Sequence, residues 1–392
     1  MNPQIRPQAL DKYRSLQTIL CCPETKTPLR LVEIEELSSS LTDDGRKRIP
    51  AGTIGAFIAD DTQRAYPLTE RVVNFLEDAS LPVRTEFSGT TPAILPSNPD
   101  DDVKETVREW YDRFGWQTNE QGYYNDTASF SEATPTGHGL YALMSHLSIL
   151  DRFSGGGFVL DAASGAIAHP EYLAYSWFFK SRVCVDLSIA ALTEADGKLR
   201  QRDFCCLADI CKLPFRDETF DAAISGYTIQ HIPESQQQRA VEELYRVIRP
   251  NAHLCIFTEV RYSMKRRGLF FLLRSFGKLL RACHLIRAPL SPAASAKAPA
   301  ERPPHQLYFC PREIVWWKKV AKELTNKYSI ESLRILNKSE FEWWFGTSNG
   351  AAKALRLIEN IFPRLTSSLS AYCLIDLCKR NLRAGIKYRS MV

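Results

Sequence analysis

From residue 157 onward, short apolar runs alternate with segments whose apolar residues have helical spacing. Because a helix between two strands makes a crossover connection, this alternation predicts a parallel sheet with helices on both faces. The predicted fold class is α/β, with a doubly wound sheet. The predicted strands are GFVLDAAS, RVCVDLS, DFCCLAD, FDAAISGY and AHLCIFTEV, and the predicted helices are HPEYLAYSWFFK, IAALTEADGKLR and QQQRAVEELYRVIRP.

The chain before this sheet has a different pattern. Strand-like runs with turn-rich connections predict a small, mostly β head domain over residues 1–80, and a stretch rich in proline predicts a linker over residues 81–100. Two amphipathic segments, DDVKETVREWYDRFGW and GLYALMSHLSILDRF, then predict helices ahead of the first strand. Residues 101–262 are therefore predicted to form the core domain.

After the fifth strand, the pattern predicts a helical insertion and then a return to the core. Residues 263–305 combine a basic amphipathic helix with a Pro/Ala-rich spacer, and residues 306–392 are predicted to hold cap helices and the final strands of the core. Within residues 263–287 the basic helix has three interpretations: it caps the substrate cleft, lies on an anionic membrane surface, or contacts an acidic partner. Its predicted basic face holds Arg267, Arg274, Lys278 and Arg281.

Composition adds two points to this picture. Of 392 residues, 44% are hydrophobic and 24% are charged, which is ordinary for a globular protein. The net charge of +5 depends on residues 260–300, which contain nine Lys or Arg and no acid; the other 41 basic residues against 45 acidic ones give −4. The start of the chain is polar, no long apolar run follows, and eleven cysteines are scattered, so a reducing, cytoplasmic location is expected.

Three acids mark the candidate site. Asp161, Asp186 and Asp209 each follow a predicted strand, so we expect their side chains to converge at one edge of the sheet. An acid about twenty residues after the first loop typically accepts hydrogen bonds from ribose, which is the role expected for Asp186. The loop has a single glycine, Gly165, and an acid before it. This acid would repel a pyrophosphate but would pair with an amino group. A ligand with ribose, adenine and an amino acid meets these conditions, and S-adenosylmethionine is such a ligand.

The run VLDAASG, VCVDLS, LADICKLPF, DETFDAAISGYTIQHIP and ELYRVIRPNAHLCIF resembles class I S-adenosylmethionine-dependent methyltransferases, in the type 11-like branch with a Leu-Pro-Phe motif. The resemblance covers residues 157–260 and implies a Rossmann-like sheet. It also implies a set of cofactor-binding residues. These are Asp161, Ala163, Ser164 and Gly165 at the methionine part, Asp186 at the ribose, Leu187, Asp209 and Ile210 at the adenine, and Ser225 through its backbone.

Some positions depart from the family pattern. Ala163 and Ala166 replace glycines, so the loop is expected to avoid positive φ at those positions, whereas Asn251 in the turn before the fifth strand tolerates it. In GYYNDTASF, Tyr124 is expected either to cover the sulfonium or to pack as an ordinary aromatic. His231 is expected to be structural. No catalytic residue is assigned, because methyl transfer requires mainly alignment of the reactants.

The head has a weaker resemblance, carried by LQTILCCPETKTPLRL and RAYPL. It resembles the small zinc-ribbon-like domain that activates several methyltransferases. Cys22 occupies one of the four ligand positions of that domain, but Thr25, Ala59 and Thr62 occupy the others, so no metal is predicted.

The functional prediction is an S-adenosylmethionine-dependent methyltransferase that acts on a small molecule or metabolite intermediate. Two alternatives remain open: a methyltransferase directed at RNA or protein through the head, and a cofactor-binding scaffold without catalysis. The sequence contains no recognisable RNA-binding module, which argues against nucleic acid as the partner.

Overall fold

The computed structural model describes residues 5–84, 99–120, 122–127, 136–282 and 305–380. Within these ranges the strands are β1 (Arg30–Glu33), β2 (Gly55–Ala59), β3 (Arg64–Leu68), β4 (Val72–Asn74), β5 (Leu81–Pro82), β6 (Gly156–Ala162), β7 (Phe179–Asp186), β8 (Phe204–Leu207), β9 (Phe220–Gly226), β10 (Ile248–Glu259), β11 (Tyr328–Arg334) and β12 (Tyr372–Cys378).

The α-helices of the same ranges are α1 (Ile5–Gln17), α2 (Ile34–Ser40), α3 (Asp43–Lys47), α4 (Pro99–Trp110), α5 (His138–Leu147), α6 (Ile189–Asp196), α7 (Gln237–Val247), α8 (Met264–Ala282), α9 (Ile314–Leu324), α10 (Lys338–Phe345), α11 (Asn349–Ile361) and α12 (Pro363–Ser367). None of these helices has both the length and the apolar character needed to cross a bilayer.

One sheet runs through the molecule, in the order β1-β2-β3-β4-β8-β7-β6-β9-β10-β12-β11, with β5 paired to β3. Strands β4, β8, β7, β6, β9 and β10 are parallel, and β12 runs antiparallel between β10 and β11. The strand order reverses between β6 and β9, which is where open α/β sheets bind ligands. The predicted α/β class with a Rossmann-like sheet is confirmed.

The central strands form where the sequence has continuous apolar runs, because helices cover both of their faces. Val183, Cys184 and Val185 of β7 are fully buried in succession. Helix α7 buries Val241 and Leu244, which lie on one face. Hydrophobic burial at these positions fixes the sheet and leaves the loops after the strands free to build a site.

The head joins this sheet. Strand β4 pairs in parallel with β8, with Val73 opposite Cys206. Lys26 binds Glu243 of α7 at 3.0 Å. The rings of Tyr13 and Phe204 also lie 6.2 Å apart in a shared core. The head is less β-rich than expected, since it contains α1, α2 and α3 besides β1–β5.

One other expectation needs correction. HPEYLAYSWFFK was expected to be an α-helix, but Pro170–Ser176 form a 3₁₀ helix and Phe179 already begins β7, because this residue pairs with Gly156 in β6. Over residues 306–392, where cap helices and final strands were predicted, the described residues form α9–α12, β11 and β12. Residues 85–98 of the linker, the spacer at 283–304 and the tail from 381 lie outside the described residues.

Candidate functional site

A cavity of about 920 Å³ lies at the carboxyl ends of the parallel strands. Its wall includes residues from the loops after β6, β7 and β8 and from the end of β9. A volume of this size is typical of small-molecule sites. Of the predicted site residues, those lining the cavity are Ala163, Ser164, Gly165, Asp186, Leu187, Asp209 and Ile210.

The loop after β6 is more strained than the sequence suggested. Gly165 has φ = 56°, and a Cβ on it would lie 2.6 Å from the ring of Trp116. Trp116 also lines the cavity, so this glycine is required both by backbone conformation and by the close approach of an aromatic ring. The expectation that Ala163 avoids positive φ is wrong, because its φ is 53°. Ala166 does stay outside that region, and Asn251 adopts it, with φ = 68°.

Asp186 connects two loops of the site. Its Oδ2 accepts a hydrogen bond from the backbone N–H of Gly165 at 2.9 Å. Its Oδ1 accepts one from the N–H of Ser188, also at 2.9 Å. Burial raises the pKa of this carboxyl to about 6, although both backbone donors favour the charged form. Asp186 therefore holds the first loop against the second at the cavity wall.

Asp209 also lies at the cavity wall, where it already has partners. Its Oδ1 accepts a hydrogen bond from the N–H of Cys211 at 2.8 Å, and its Oδ2 pairs with the ammonium of Lys104 at 2.5 Å. Burial alone would lower the pKa of Lys104, but the adjacent Asp209 carboxylate outweighs it and raises that pKa. Lys104 comes from α4, and nothing in the sequence pattern pointed to it.

The convergence expected for the three acids fails at Asp161. This side chain is buried against Arg182 of the neighbouring strand β7, whose Nε donates to Asp161 Oδ2 at 3.0 Å. Arg182 is itself buried and also donates to the carbonyl of Tyr172 at 2.7 Å. Since a buried guanidinium requires a counter-charge, the carboxylate turns to Arg182 and does not line the cavity.

Two further predicted residues lie off the cavity wall. Ser225 is buried inside β9, and Gly226 and Tyr227, which follow it, line the cavity instead. The hydroxyl of Tyr124 donates to Glu194 at 2.8 Å, which holds the ring outside the cavity. Its neighbours Tyr123 and Asp126 do line the cavity.

His231 also lines the cavity. Its Nδ1 lies 2.8 Å from the carbonyl oxygen of Tyr308, so the ring links the end of β9 to the segment that precedes α9. Burial lowers the pKa of His231, which keeps the ring neutral. This partner is consistent with the structural role expected for His231.

Sequence reasoning missed one entire wall of the cavity. His146 Nε2 lies 2.9 Å from the hydroxyl of Tyr227, and His146 Nδ1 lies 3.2 Å from Glu171. Arg334, at the end of β11, donates to the Tyr227 hydroxyl at 2.7 Å. Burial lowers the pKa of His146 to about 4, so this ring is neutral near pH 7. These residues are far apart in the sequence, and β11 was not predicted.

Comparisons with known proteins bear on this geometry. Residues 160–256 match the methyltransferase domain family. The 2-phytyl-1,4-naphtoquinone methyltransferase of Nostoc sp. is 41% identical over 49 residues, which are 12% of this chain and 20% of that protein. A Haemophilus influenzae protein is 33% identical over 75 residues, which are 18% of this chain and 30% of that protein. The chain thus spans less than a third of the length of these curated relatives.

Among solved structures, the Haemonchus contortus phosphoethanolamine N-methyltransferase 2 in complex with S-adenosyl-L-methionine aligns at 15% identity with a TM-score of 0.43. The alignment covers 77% of this chain and 63% of that chain. The YcgJ protein of Bacillus subtilis aligns at 15% identity with a TM-score of 0.36, over 62% of this chain and 99% of that chain. On the family match, residues 160–256, about a quarter of the chain, form a methyltransferase domain.

Proposed function

We propose that the whole protein transfers a methyl group from S-adenosylmethionine to a small molecule, and that the cavity holds both. The observation that carries this proposal is the cavity of about 920 Å³, which has the first loop, Asp186 and Asp209 on one wall and the Tyr227–Arg334 pair on another. One wall suits the cofactor, and the other leaves space for an acceptor beside it.

In this proposal each residue of the cofactor wall has a defined task. Ser164 and Gly165 allow the backbone to approach the methionine part closely, because their side chains are small. Asp186 accepts hydrogen bonds from the ribose hydroxyls, while Leu187 and Ile210 cover the faces of the adenine. Asp209 presents a carboxylate to the adenine amine beside Lys104.

The bound cofactor supplies an electrophilic methyl group, and the protein positions the acceptor relative to that group. Holding an acceptor atom in line with that methyl group accounts for several kcal/mol of the barrier. The rings of Tyr111 and Trp116 are stacked, with centroids 5.4 Å apart. Together with the loop after β6, they hold the wall that contains Asp186 and Asp209 rigid and exclude water.

Turnover tests this proposal. Purified protein is incubated with S-adenosylmethionine and a small-molecule fraction of cell extract, and S-adenosylhomocysteine is measured by mass spectrometry. We expect product with the small-molecule fraction, and at least about tenfold less product with Asp186→Ala at a limiting cofactor concentration. Product that forms only with an RNA or protein fraction would favour the macromolecular alternative, and absence of product with every fraction would favour a scaffold.

We also propose that α8 lies on an anionic membrane surface. No described α8 side chain lines the cavity, so the expectation that this helix caps the cleft is wrong for those residues. Its exposed face is apolar instead: Met264, Phe271 and Leu272 are 78%, 70% and 65% exposed and recur at helical spacing. The helix contains basic residues and no acid, which suits anionic lipid.

Liposome flotation tests the membrane proposal. We expect wild type to float with vesicles of phosphatidylglycerol and phosphatidylcholine, and the double variant Phe271→Ser, Leu272→Ser to remain in the soluble fraction. Val315→Ser is the matched control, since Val315 is 73% exposed on α9. Equal flotation of all three proteins, or flotation of none, would contradict the proposal.

The head, in turn, is proposed to be a degenerate activator-like unit that stabilises the core. Cys22 Sγ lies 3.7 Å from the hydroxyl of Tyr66. Among the described residues no group of three His, Cys, Asp or Glu side chains is arranged to hold a metal ion. The cytoplasmic location stays a prediction.

A further inference from the structure

Arg334 is a buried cation at the cavity wall, and it is 4% exposed. Desolvating a guanidinium costs several kcal/mol, so buried arginines normally pair with carboxylates. Two other buried arginines of this protein follow that rule, since Arg182 pairs with Asp161 and Arg266 pairs with Glu340. In the described part of the chain, no carboxylate lies within ion-pairing distance of Arg334.

The partners that Arg334 does have are neutral. Its Nη2 donates to the Tyr227 hydroxyl at 2.7 Å, and its Nη1 lies 3.2 Å from His146 Nε2. Its guanidinium lies 4.5 Å from the centroid of the Tyr372 ring. Because burial lowers the pKa of His146 to about 4, that ring accepts a hydrogen bond without adding charge. Hydrogen bonds and ring contacts of this kind hold the guanidinium in place but leave its positive charge unbalanced.

The guanidinium also has unused donors. Arginine has five N–H groups in a planar fork, and the contacts of Arg334 with His146 and Tyr227 occupy one N–H group on each terminal nitrogen. Its Nε is buried and has no hydrogen-bond partner among the described residues. Glu259 lines the same cavity, but no ion pair joins it to Arg334 in those residues. Burial raises the pKa of the Glu259 carboxyl, although the nearby cations Arg266 and Arg334 act in the opposite direction.

We propose that Arg334 binds an oxyanion of the methyl acceptor, either a carboxylate or a phosphate, at the wall formed with Tyr227 and Tyr372. This inference rests on the proposed function, because it requires the acceptor to occupy the cavity. A planar guanidinium with free donors matches two oxyanion oxygens in geometry and in charge. The methyl acceptor is therefore an anionic small molecule. It is held by Arg334, and its oxyanion balances the charge of the guanidinium.

Binding of simple probes tests this inference. Wild type saturated with S-adenosylhomocysteine is titrated calorimetrically with benzoate, inorganic phosphate and the neutral analogue benzamide. We expect benzoate or phosphate to bind, and the better of the two identifies the oxyanion as carboxylate or phosphate. Benzamide is expected to bind at least about tenfold more weakly than benzoate if the site prefers carboxylate, since it lacks the charge.

Variants complete the test. Arg334→Met is expected to weaken oxyanion binding at least about tenfold, Arg334→Lys to retain part of it, and Arg249→Met to leave it unchanged. Arg249 is a suitable control because it pairs with Asp221 at 2.6 Å, outside the cavity. If Arg334→Met does not fold, the comparison of oxyanions with benzamide on wild type decides alone.

Three results would overturn the assignment. These are binding of neither oxyanion to protein that binds S-adenosylhomocysteine, equal affinity for benzamide and the preferred oxyanion, and unchanged oxyanion binding in a folded Arg334→Met variant. In each case the proposed function still stands, because the protein still holds the cofactor product. A wild type that fails to bind S-adenosylhomocysteine refutes the proposed function and this inference together.

Discussion

At the residue scale, three of the seven non-glycine residues with positive φ in the described part of the chain lie at the cavity or next to it. Ala163, Ile167 and Tyr227 have φ values of 53°, 50° and 55°, a region that costs non-glycine residues roughly 1–2 kcal/mol each. Ala163 and Tyr227 line the cavity, and Ile167 follows the same loop. Strain of this kind persists where the surrounding structure fixes it, most often at functional sites.

The strain at Ala163 leads to a stability prediction. Ala163→Gly should stabilise the protein by about 0.5–1 kcal/mol, because relief of the left-handed conformation exceeds the entropy that glycine adds to the unfolded chain. Ala166→Gly, in the same buried loop but outside the left-handed region, should destabilise the protein by about the same amount. Urea unfolding measures both, and destabilisation by both variants would contradict the assigned strain.

The lowered pKa of His146 predicts how the stability of the protein depends on pH. Its pKa is about 4 in the folded protein against 6.5 for the ordinary group, so the unfolded chain binds more protons between these values. Stability from this residue is therefore lost as pH falls from about 6.5 to about 4, and about 2 kcal/mol is lost between about pH 7.5 and about pH 5.

The variant His146→Asn isolates this contribution. Its stability should change less than that of wild type over the same pH interval, because asparagine does not titrate. Urea unfolding at the two pH values gives the difference between the two proteins. Parallel pH profiles would mean that the pKa of His146 is the same in the folded and unfolded states, which would contradict the lowered value.

At the scale of elements, the sequence predicted correctly those strands of the sheet that are buried on both faces. The apolar runs that became β6–β9 are covered by helices on both faces, and such runs are visible in one sequence. Strand β11 was not predicted, because its sequence, YSIESLR, has few apolar residues and ends in Arg334. The 3₁₀ helix Pro170–Ser176 was mistaken for an α-helix because its aromatic residues Tyr172 and Tyr175 have helical spacing.

The contact between the head and the core gives a prediction for β4. Val73 is fully buried opposite Cys206, so Val73→Ser should destabilise the whole protein by roughly 2–3 kcal/mol through lost apolar burial and a new buried hydroxyl. The exposed neighbour Arg71 gives the control Arg71→Ser, with an expected change below about 1 kcal/mol.

Thermal unfolding of both variants distinguishes a shared core from a loosely attached head. A single transition that shifts down in Val73→Ser supports the shared core. Two transitions, of which only a minor one shifts, would show that the head unfolds independently of the sheet.

At the scale of the whole molecule, the cavity is assembled from distant parts of the chain. Trp116 comes from before the first core strand, Asp186 from the middle, and Arg334 and Tyr372 from the last third. The sequence could locate the wall that is proposed to hold the cofactor, because that wall follows successive strands with acids at their ends. The wall around Arg334 could not be predicted, since it depends on where β11 and β12 add to the sheet.

The positions of the three acids also show which features of the site could not be predicted from the sequence. Asp186 and Asp209 line the cavity as the sheet topology predicted, whereas Asp161 is neutralised by Arg182, a partner that sequence spacing does not reveal. Strand ends can be predicted from hydrophobic pattern, but the direction of a charged side chain depends on the charges that tertiary packing brings near it.

The central claim is that Asp186 belongs to an S-adenosylmethionine site, and calorimetric titration of the cofactor tests it most directly. Asp221→Ala is the matched control, because Asp221 likewise accepts two backbone N–H groups, from Gly157 at 2.7 Å and Phe158 at 3.0 Å, but lies away from the cavity. We predict that wild type and Asp221→Ala bind equally and that Asp186→Ala loses about 1.5–3 kcal/mol, roughly 10-fold to 150-fold in affinity. Unchanged affinity in Asp186→Ala, or no binding by wild type, would contradict the account.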